Sequence, residues 1–172
     1  MNKILLLLII GVMVLVGAYL FLTQSSKTAT KTMSPKTSTN DLSKVDYSAS
    51  FAIFTNGTFR IFTAPMYHNL SNDVYIQADN PNIVYVKKNN ITWNDFFKTL
   101  PFKLTKECLI TGTKQTFCTD INGRLRFYVN GSEDVNALDK YIENGDKLLV
   151  TYGNENEVQI QKQFQQIPNR SK

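Results

Sequence analysis

The segment Ile4–Leu22 constrains the fold of this chain more than any other feature, because it is a run of 19 residues without a charge or a proline. At about 1.5 Å per residue, a helix of this length reaches roughly 28 Å, close to the thickness of the hydrocarbon core of a bilayer. Lys3 precedes the run, and positive charge before a first span favours a cytoplasmic N-terminus. The sequence therefore predicts one membrane-spanning helix within residues 1–22.

A cleaved secretory signal is the competing interpretation of this segment. Such signals have an apolar region of about 7–15 residues, followed by small residues at the cleavage site. Here the run is longer and ends in the bulky residues Tyr19, Leu20, Phe21 and Leu22. The pattern favours an uncleaved signal-anchor in the cytoplasmic membrane, single-pass, with the C-terminal domain outside the cytoplasm.

Three segments follow the predicted anchor. Residues 23–46 are rich in Ser, Thr and Lys and predict a flexible linker, because they contain too few apolar residues to form a core. Residues 47–153 have regular apolar patterning and predict one extracytoplasmic domain, and residues 154–172 form a polar tail. From Tyr47 onward there are 14 Lys and Arg against 12 Asp and Glu, so the basic sequence pI of 9.1 does not predict a nucleic-acid partner.

A first β-hairpin is predicted around Asn56-Gly57, because both central residues of a tight hairpin turn need positive φ. The flanking runs Ser50–Phe54 and Thr58–Thr63 are rich in β-branched and aromatic residues. The side chains expected to face the core are Phe51, Ile53, Phe59 and Ile61.

A second hairpin is predicted from the runs Asp73–Gln77 and Asn82–Lys87. The intervening residues Asp79–Asn82 have the composition of a turn.

A short helix is predicted to begin after Thr92, whose side chain can accept a hydrogen bond from an exposed backbone amide. Asp95 lies three residues later, where a carboxylate suits the positive end of a helix. Pro101 ends the helix. The apolar stripe of this helix consists of Trp93, Phe96, Phe97 and Leu100.

Alternating apolar and polar residues predict a strand over Arg124–Asn130. A short helical turn through Val135 and Leu138 and a strand over Lys147–Tyr152 follow. Strands that bracket a short helix predict an α+β domain with an antiparallel or mixed sheet, compatible by analogy with a β-grasp arrangement. The tail after Gly153 is compatible with either a frayed helix or disorder.

Cys108 and Cys118 are the only cysteines, and both lie outside the predicted membrane segment. An even pair outside the cytoplasm favours a disulfide. Closing a loop of this size stabilises a fold by roughly 2–3 kcal/mol. The spacing is not that of a Cys-x-x-Cys redox motif, and metal binding or free thiols are the remaining alternatives.

His68 is the single histidine, and it is expected in a loop. No nucleophile, phosphate-binding or zinc-protease motif occurs, so the sequence predicts no catalytic residue, no metal ligand and no cofactor. A hydrolase that uses isolated Ser, Asp or Glu is the least supported alternative. The main alternative to a simple binding domain is a metal or small-ligand site that combines His68, Asp79 and the cysteine region.

Two parts of the domain resemble segments of a known family. The first contains Asp79–Val86 and Ile91–Phe97, and the second contains Arg124–Gly131 and Glu143–Tyr152. Both are similar to segments of a broad family of short prokaryotic membrane-anchored proteins with one extracytoplasmic α+β domain and no assigned activity. Members carry a His-Thr-His-Asp pattern where this chain has Ile76–Asp79, so the resemblance implies no metal site here.

These observations predict a non-catalytic, membrane-anchored binding or interaction protein, whose partner is another envelope protein or a surface polymer. The candidate partner-contact residues are those expected on the exposed strand face: Arg60, Arg124, Arg126 and Tyr128.

Overall fold

A computed structural model of the chain describes residues 44–169. The predicted membrane helix within residues 1–22 and nearly all of the predicted linker lie outside the described residues. Between residues 44 and 169, no helix is long and apolar enough to cross a membrane. The predicted α+β class is confirmed, with two sheets and two α-helices in this part of the chain.

Ten strands and two α-helices are described in residues 44–169. In chain order they are β1 (Lys44–Thr55), β2 (Thr58–Phe59), β3 (Val74–Gln77), β4 (Asn80–Lys88), α1 (Trp93–Thr99), β5 (Lys103–Leu104), β6 (Cys108–Ile110), β7 (Thr116–Cys118), β8 (Arg124–Val129), β9 (Ser132–Glu133), β10 (Lys147–Gly153) and α2 (Glu157–Gln165). One-turn 3-10 helices lie at Pro65–Tyr67 and Ala137–Asp139.

The larger sheet is mixed and has seven strands in the order β3-β4-β1-β10-β8-β9, with β2 paired to β1. Its centre is the parallel pair of β1 and β10, in which Phe51 lies opposite Leu148. The other neighbouring strands are antiparallel. A parallel pair requires a long crossover connection, which here includes α1 and the whole smaller sheet. The smaller sheet is antiparallel and has the order β5-β6-β7.

Strand β1 is buried without interruption from Ser48 to Thr55, because apolar layers cover both faces of the sheet. Phe51 and Ile53 face one layer, which also contains the apolar side chains of α1. Ala52 and Phe54 face the other layer, to which α2 contributes Ile160.

Helix α1 begins with the capping interactions that the sequence predicts. The hydroxyl of Thr92 accepts a hydrogen bond from the backbone amide of Asp95, and the Asp95 carboxylate accepts one from the backbone amide of Thr92. The apolar stripe of the helix lies in the core, where Trp93 and Phe96 are fully buried.

The tail after Gly153 forms helix α2, so of the two alternatives that the sequence leaves open, the structure has the helix. Asn156 begins the helix with a capping box that includes Gln159. Ile160 and Ile167 are buried against the sheet. The tail therefore contributes to the packing of the domain.

The first predicted hairpin is confirmed, since Asn56 and Gly57 both have positive φ, of 50° and 73°. Its second strand is short, however, and Ile61 is 68% exposed, so the prediction that Ile61 faces the core is wrong. Pairing of β2 with β1 ends at Phe59, and the chain then leaves the sheet, which ends the strand alternation that the prediction assumed.

The second hairpin also forms, but its turn lies earlier than predicted. Gln77 and Asn80 face each other across β3 and β4, so the turn residues are Ala78 and Asp79. Pro81 lies inside β4. A proline is tolerated near the start of a strand, where few ladder hydrogen bonds depend on its missing amide hydrogen.

Candidate functional site

An apolar groove of about 390 Å³ lies between the segment that follows β2 and the smaller sheet. This volume falls within the range of about 300–1,000 Å³ that is typical of small-molecule sites. The lining residues are Ile53, Thr58, Phe59, Arg60, Ile61, Phe62, Met66, Tyr67, Phe102, Leu109, Thr111, Gly112 and Thr113. Most of these side chains are apolar, and Arg60 is the one charged residue among them.

Packed aromatic rings surround Phe62, which is buried beneath the groove. The ring centroid of Phe62 lies 5.2 Å from that of Phe51, 5.3 Å from that of Tyr67 and 5.8 Å from that of Phe102. Rings at these separations gain edge and tilted contacts beyond simple burial. The base of the groove is therefore a preformed surface continuous with the main core.

One wall of the groove is a loop that contains the 3-10 turn Pro65–Tyr67. His68 closes this loop, because its Nε2 donates a hydrogen bond to the carbonyl oxygen of Phe62 at 2.8 Å. Asn69 has a φ of 53° and donates its backbone amide to the carbonyl oxygen of Ile76. These bonds attach the loop to β3 and fix the position of the wall.

The opposite wall belongs to the smaller sheet. Cys108 and Cys118 face each other across β6 and β7, with a Cα–Cα distance of 4.0 Å, and form a disulfide. The predicted cysteine pairing is thus present at disulfide distance. Gly112 lies close to the main chain, since a Cβ placed there would be 3.0 Å from the carbonyl oxygen of Pro101. A larger residue at Gly112 would displace this wall.

Arg60 is the one charged residue among those that line the groove. Its Nε donates a hydrogen bond to Thr55 Oγ1 at 2.6 Å, and its Cζ lies 5.0 Å from the centroid of the Phe117 ring. Within residues 44–169, no carboxylate lies at ion-pair distance from it. The guanidinium is therefore oriented by a hydroxyl and a ring, and its positive charge is not neutralised by an acidic side chain of the described domain.

Two large apolar side chains in the lining of the groove remain exposed. Ile61 and Met66 line the groove and are 68% and 54% exposed, and Leu70, which follows on the same loop, is 46% exposed. Sequence reasoning missed this feature. The available signal was an apolar stretch from Ile61 to Leu70 that follows neither strand nor helix periodicity.

The four residues predicted as partner contacts do not form one exposed face. Arg60 lines the apolar groove, whereas Arg124 and Arg126 line a separate polar cleft of about 300 Å³. Tyr128 is 3% exposed and packs in the same cluster as Ile160 of α2, so the prediction that it is exposed is wrong. Burial raises the pKa of the Tyr128 hydroxyl.

Arg126 is mostly covered by the segment that leads into α2. Its Nη2 donates to the backbone carbonyl oxygen of Glu155 at 2.8 Å, and its Nη1 lies 3.3 Å from the Tyr128 hydroxyl. Arg126 therefore attaches the segment around Glu155 to strand β8. Arg124 is exposed, and its role as a partner contact stays a prediction.

The structure does not support a metal site around His68, Asp79 and the cysteines. No group of three or more His, Cys, Asp or Glu side chains in residues 44–169 is arranged to hold a metal ion. Both sulfur atoms are joined in the disulfide, so neither is a thiolate ligand. His68 uses its Nε2 in the hydrogen bond to Phe62.

Comparison with models of protein families, with curated proteins and with solved structures finds no match to this chain. The resemblance to membrane-anchored prokaryotic proteins therefore stays a prediction.

Proposed function

We propose that this chain is a membrane-anchored, extracytoplasmic binding protein without catalytic activity, and that it binds an apolar group in the groove beside Phe62. The groove itself is the observation that carries the proposal. It combines a preformed aromatic base, exposed apolar side chains at Ile61 and Met66, and a single charged side chain, Arg60. Single exposed apolar side chains are common on proteins, but contiguous ones mark ligand or partner sites, and Ile61 and Met66 line the same groove.

The proposed location has two supports. The run Ile4–Leu22 has the length and composition of a membrane span. The disulfide between Cys108 and Cys118 is typical of proteins outside the reducing cytoplasm. Because Lys44–Asp46 belong to β1, we propose that residues 23–43 separate the domain from the membrane surface, and that the domain belongs to the family of anchored prokaryotic proteins that its sequence resembles.

The strand order supports a β-grasp-like arrangement for the domain. Two strands that form an antiparallel pair, β1 and β4, precede helix α1, and the last strand β10 returns parallel to β1 in the centre of the sheet. Domains of this shape serve many purposes, so the arrangement supports the scaffold and not the ligand.

Photoaffinity labelling of the full-length chain in detergent micelles tests the proposed binding. A long-chain alcohol that carries a diazirine is activated by light, and the labelled residues are located by mass spectrometry. We expect label in residues 58–67 and 102–113, which contain the groove. Label in Ile4–Leu22 serves as the reference for unspecific partition of the probe.

A pair of matched variants makes this test specific. Ile61→Glu places a charge at the rim of the groove and should reduce groove labelling, whereas Val158→Glu introduces the same charge at an exposed position of α2 and should not. Equal labelling of the groove in both variants would refute the proposal. Location is tested separately, by carbonate extraction of membranes and by protease added to intact cells. Full-length chain in the soluble fraction would refute the proposed anchor.

A further inference from the structure

Building on the proposed function, we propose that the ligand of the groove is a small amphiphile with a carboxylate head: the carboxylate binds the guanidinium of Arg60, and the hydrocarbon body packs on Phe62. The observation that supports this is that Arg60 has no acidic partner among residues 44–169 and lines a recess whose other lining residues are uncharged and mostly apolar.

The guanidinium of Arg60 is already oriented before a ligand binds. Thr55 Oγ1 accepts the Nε hydrogen at 2.6 Å, and the Phe117 ring lies 5.0 Å from Cζ. An arginine has five N–H donors, and the bond to Thr55 uses the one on Nε. The terminal nitrogens thus provide donors in a fork that matches the two oxygens of a carboxylate. Of the two arginines that line the polar cleft, Arg126 instead donates to the Glu155 carbonyl oxygen.

The charge around the groove is positive. The segments 58–70 and 101–117 contain Arg60, Lys103, Lys106 and Lys114 against one acid, Glu107. Lys106 and Glu107 line the separate polar cleft, and Lys106 forms an ion pair with Asp139 at 2.7 Å, so the charge in the lining of the groove is that of Arg60. None of the lining residues is acidic. An anionic head group is therefore favoured by the positive charge of Arg60 and by the absence of an acidic residue from the lining.

The dimensions of the recess favour a small molecule over a protein. A stable protein interface involves about 20–30 residues on each side, whereas 13 residues line the groove. One guanidinium without a second basic side chain in the lining matches a head group with one negative charge. A carboxylate fits this condition better than a phosphate monoester, which carries ≈ −1.5 to −2 charges near neutral pH.

The experiment compares two diazirine probes of equal chain length, one a carboxylic acid and one the corresponding primary alcohol. Both are applied to the full-length chain in detergent micelles, and groove label is divided by label in Ile4–Leu22. In the wild type we expect the carboxylate to label the groove about tenfold more than the alcohol, because hydrogen bonds to charged groups contribute at least that factor.

Variants at Arg60 identify the group responsible. Arg60→Gln should reduce carboxylate labelling of the groove to the level of the alcohol in the same variant. Arg60→Lys should retain only part of the preference, because the ammonium keeps the charge and loses the fork. Lys98→Gln removes the same charge from the exposed side of α1 and should keep the full preference. Circular dichroism establishes that each variant is folded.

The outcomes separate the two proposals. Equal groove labelling by carboxylate and alcohol in the wild type would refute the carboxylate head and leave the apolar binding site in place. A preference that persists in Arg60→Gln would refute the role of Arg60, and stronger labelling by an alkyl phosphate probe would refute the choice of carboxylate. Absence of groove labelling by all probes would refute the proposed function as well.

Discussion

Helix α2 is expected to be part of the cooperative fold, and Ile160→Ala tests this. Ile160 is 1% exposed and packs with Phe54 and Leu149 in the apolar layer between α2 and the larger sheet. The substitution removes three carbon atoms, which corresponds to about 2.4 kcal/mol of transfer free energy at ≈ 0.8 kcal/mol per buried CH₂. The cavity that remains adds to this, so we expect a loss of about 2–5 kcal/mol in the free energy of unfolding.

The assay is urea unfolding of the full-length chain in detergent micelles, followed by the fluorescence of Trp93. Trp93 is the only tryptophan and is fully buried in the layer on the opposite face of the sheet. With a urea dependence of about 1–3 kcal/mol per molar, the expected loss lowers the midpoint by about 0.7 M or more. A change at Ile160 reaches the Trp93 signal only if both layers unfold together.

Val158→Ala is the matched control, because Val158 is on the same helix and is 64% exposed. Substitutions at such positions usually change stability by less than about 0.5 kcal/mol. If Ile160→Ala shifts the Trp93 transition no more than Val158→Ala does, then α2 is an appended segment that unfolds independently, and the packing argument is refuted.

Three further changes test local features by the same urea assay. The hydrogen bonds from the backbone amide of Thr92 and, second, from its hydroxyl hold the pKa of Asp95 below its ordinary value of 3.8. The ionised Asp95 carboxylate therefore stabilises the fold above about pH 4, and this stabilisation is lost as the pH falls through the lower folded-state pKa. Asp95→Asn should cost about 0.3–1 kcal/mol at pH 7, and its difference from the wild type should shrink in acid; a difference that grows in acid would contradict the assignment. Replacing Cys108 and Cys118 together by Ser should lower the free energy of unfolding by roughly 2–3 kcal/mol, and reduction of the wild type should have the same effect. Detection of two titratable thiols in the unreduced, denatured chain would disprove the disulfide. Gly57→Ala should cost about 1–2 kcal/mol because φ is +73° at an otherwise open position, and an unchanged midpoint would show that the turn has another conformation.

Local features of the fold were predictable because their causes lie within a few residues. The turn at Asn56-Gly57, the strand that begins at Arg124 and the start of α1 at Thr92 each depend on side-chain and backbone preferences of neighbouring residues. The cysteine pairing was predictable because only two cysteines occur.

The candidate site was predicted only in part. Arg60 was identified as a contact residue, but it was grouped with Arg124 and Tyr128 on one sheet face. That grouping assumed one solvent-exposed face, which is the usual condition for alternating strands in antiparallel sheets. Helix α2 covers that face, so Tyr128 is buried.

By itself, the sequence determined an apolar N-terminal run with the composition of an anchor, the turn at Asn56-Gly57 and the class of the domain. Tertiary structure alone decided the parallel pairing of β1 with β10, the burial of Tyr128 and the groove beside Arg60. The physical reason is separation along the chain. Phe51 lies opposite Leu148, and Arg126 bonds to Glu155, so these contacts form between segments whose local patterns contain no information about each other.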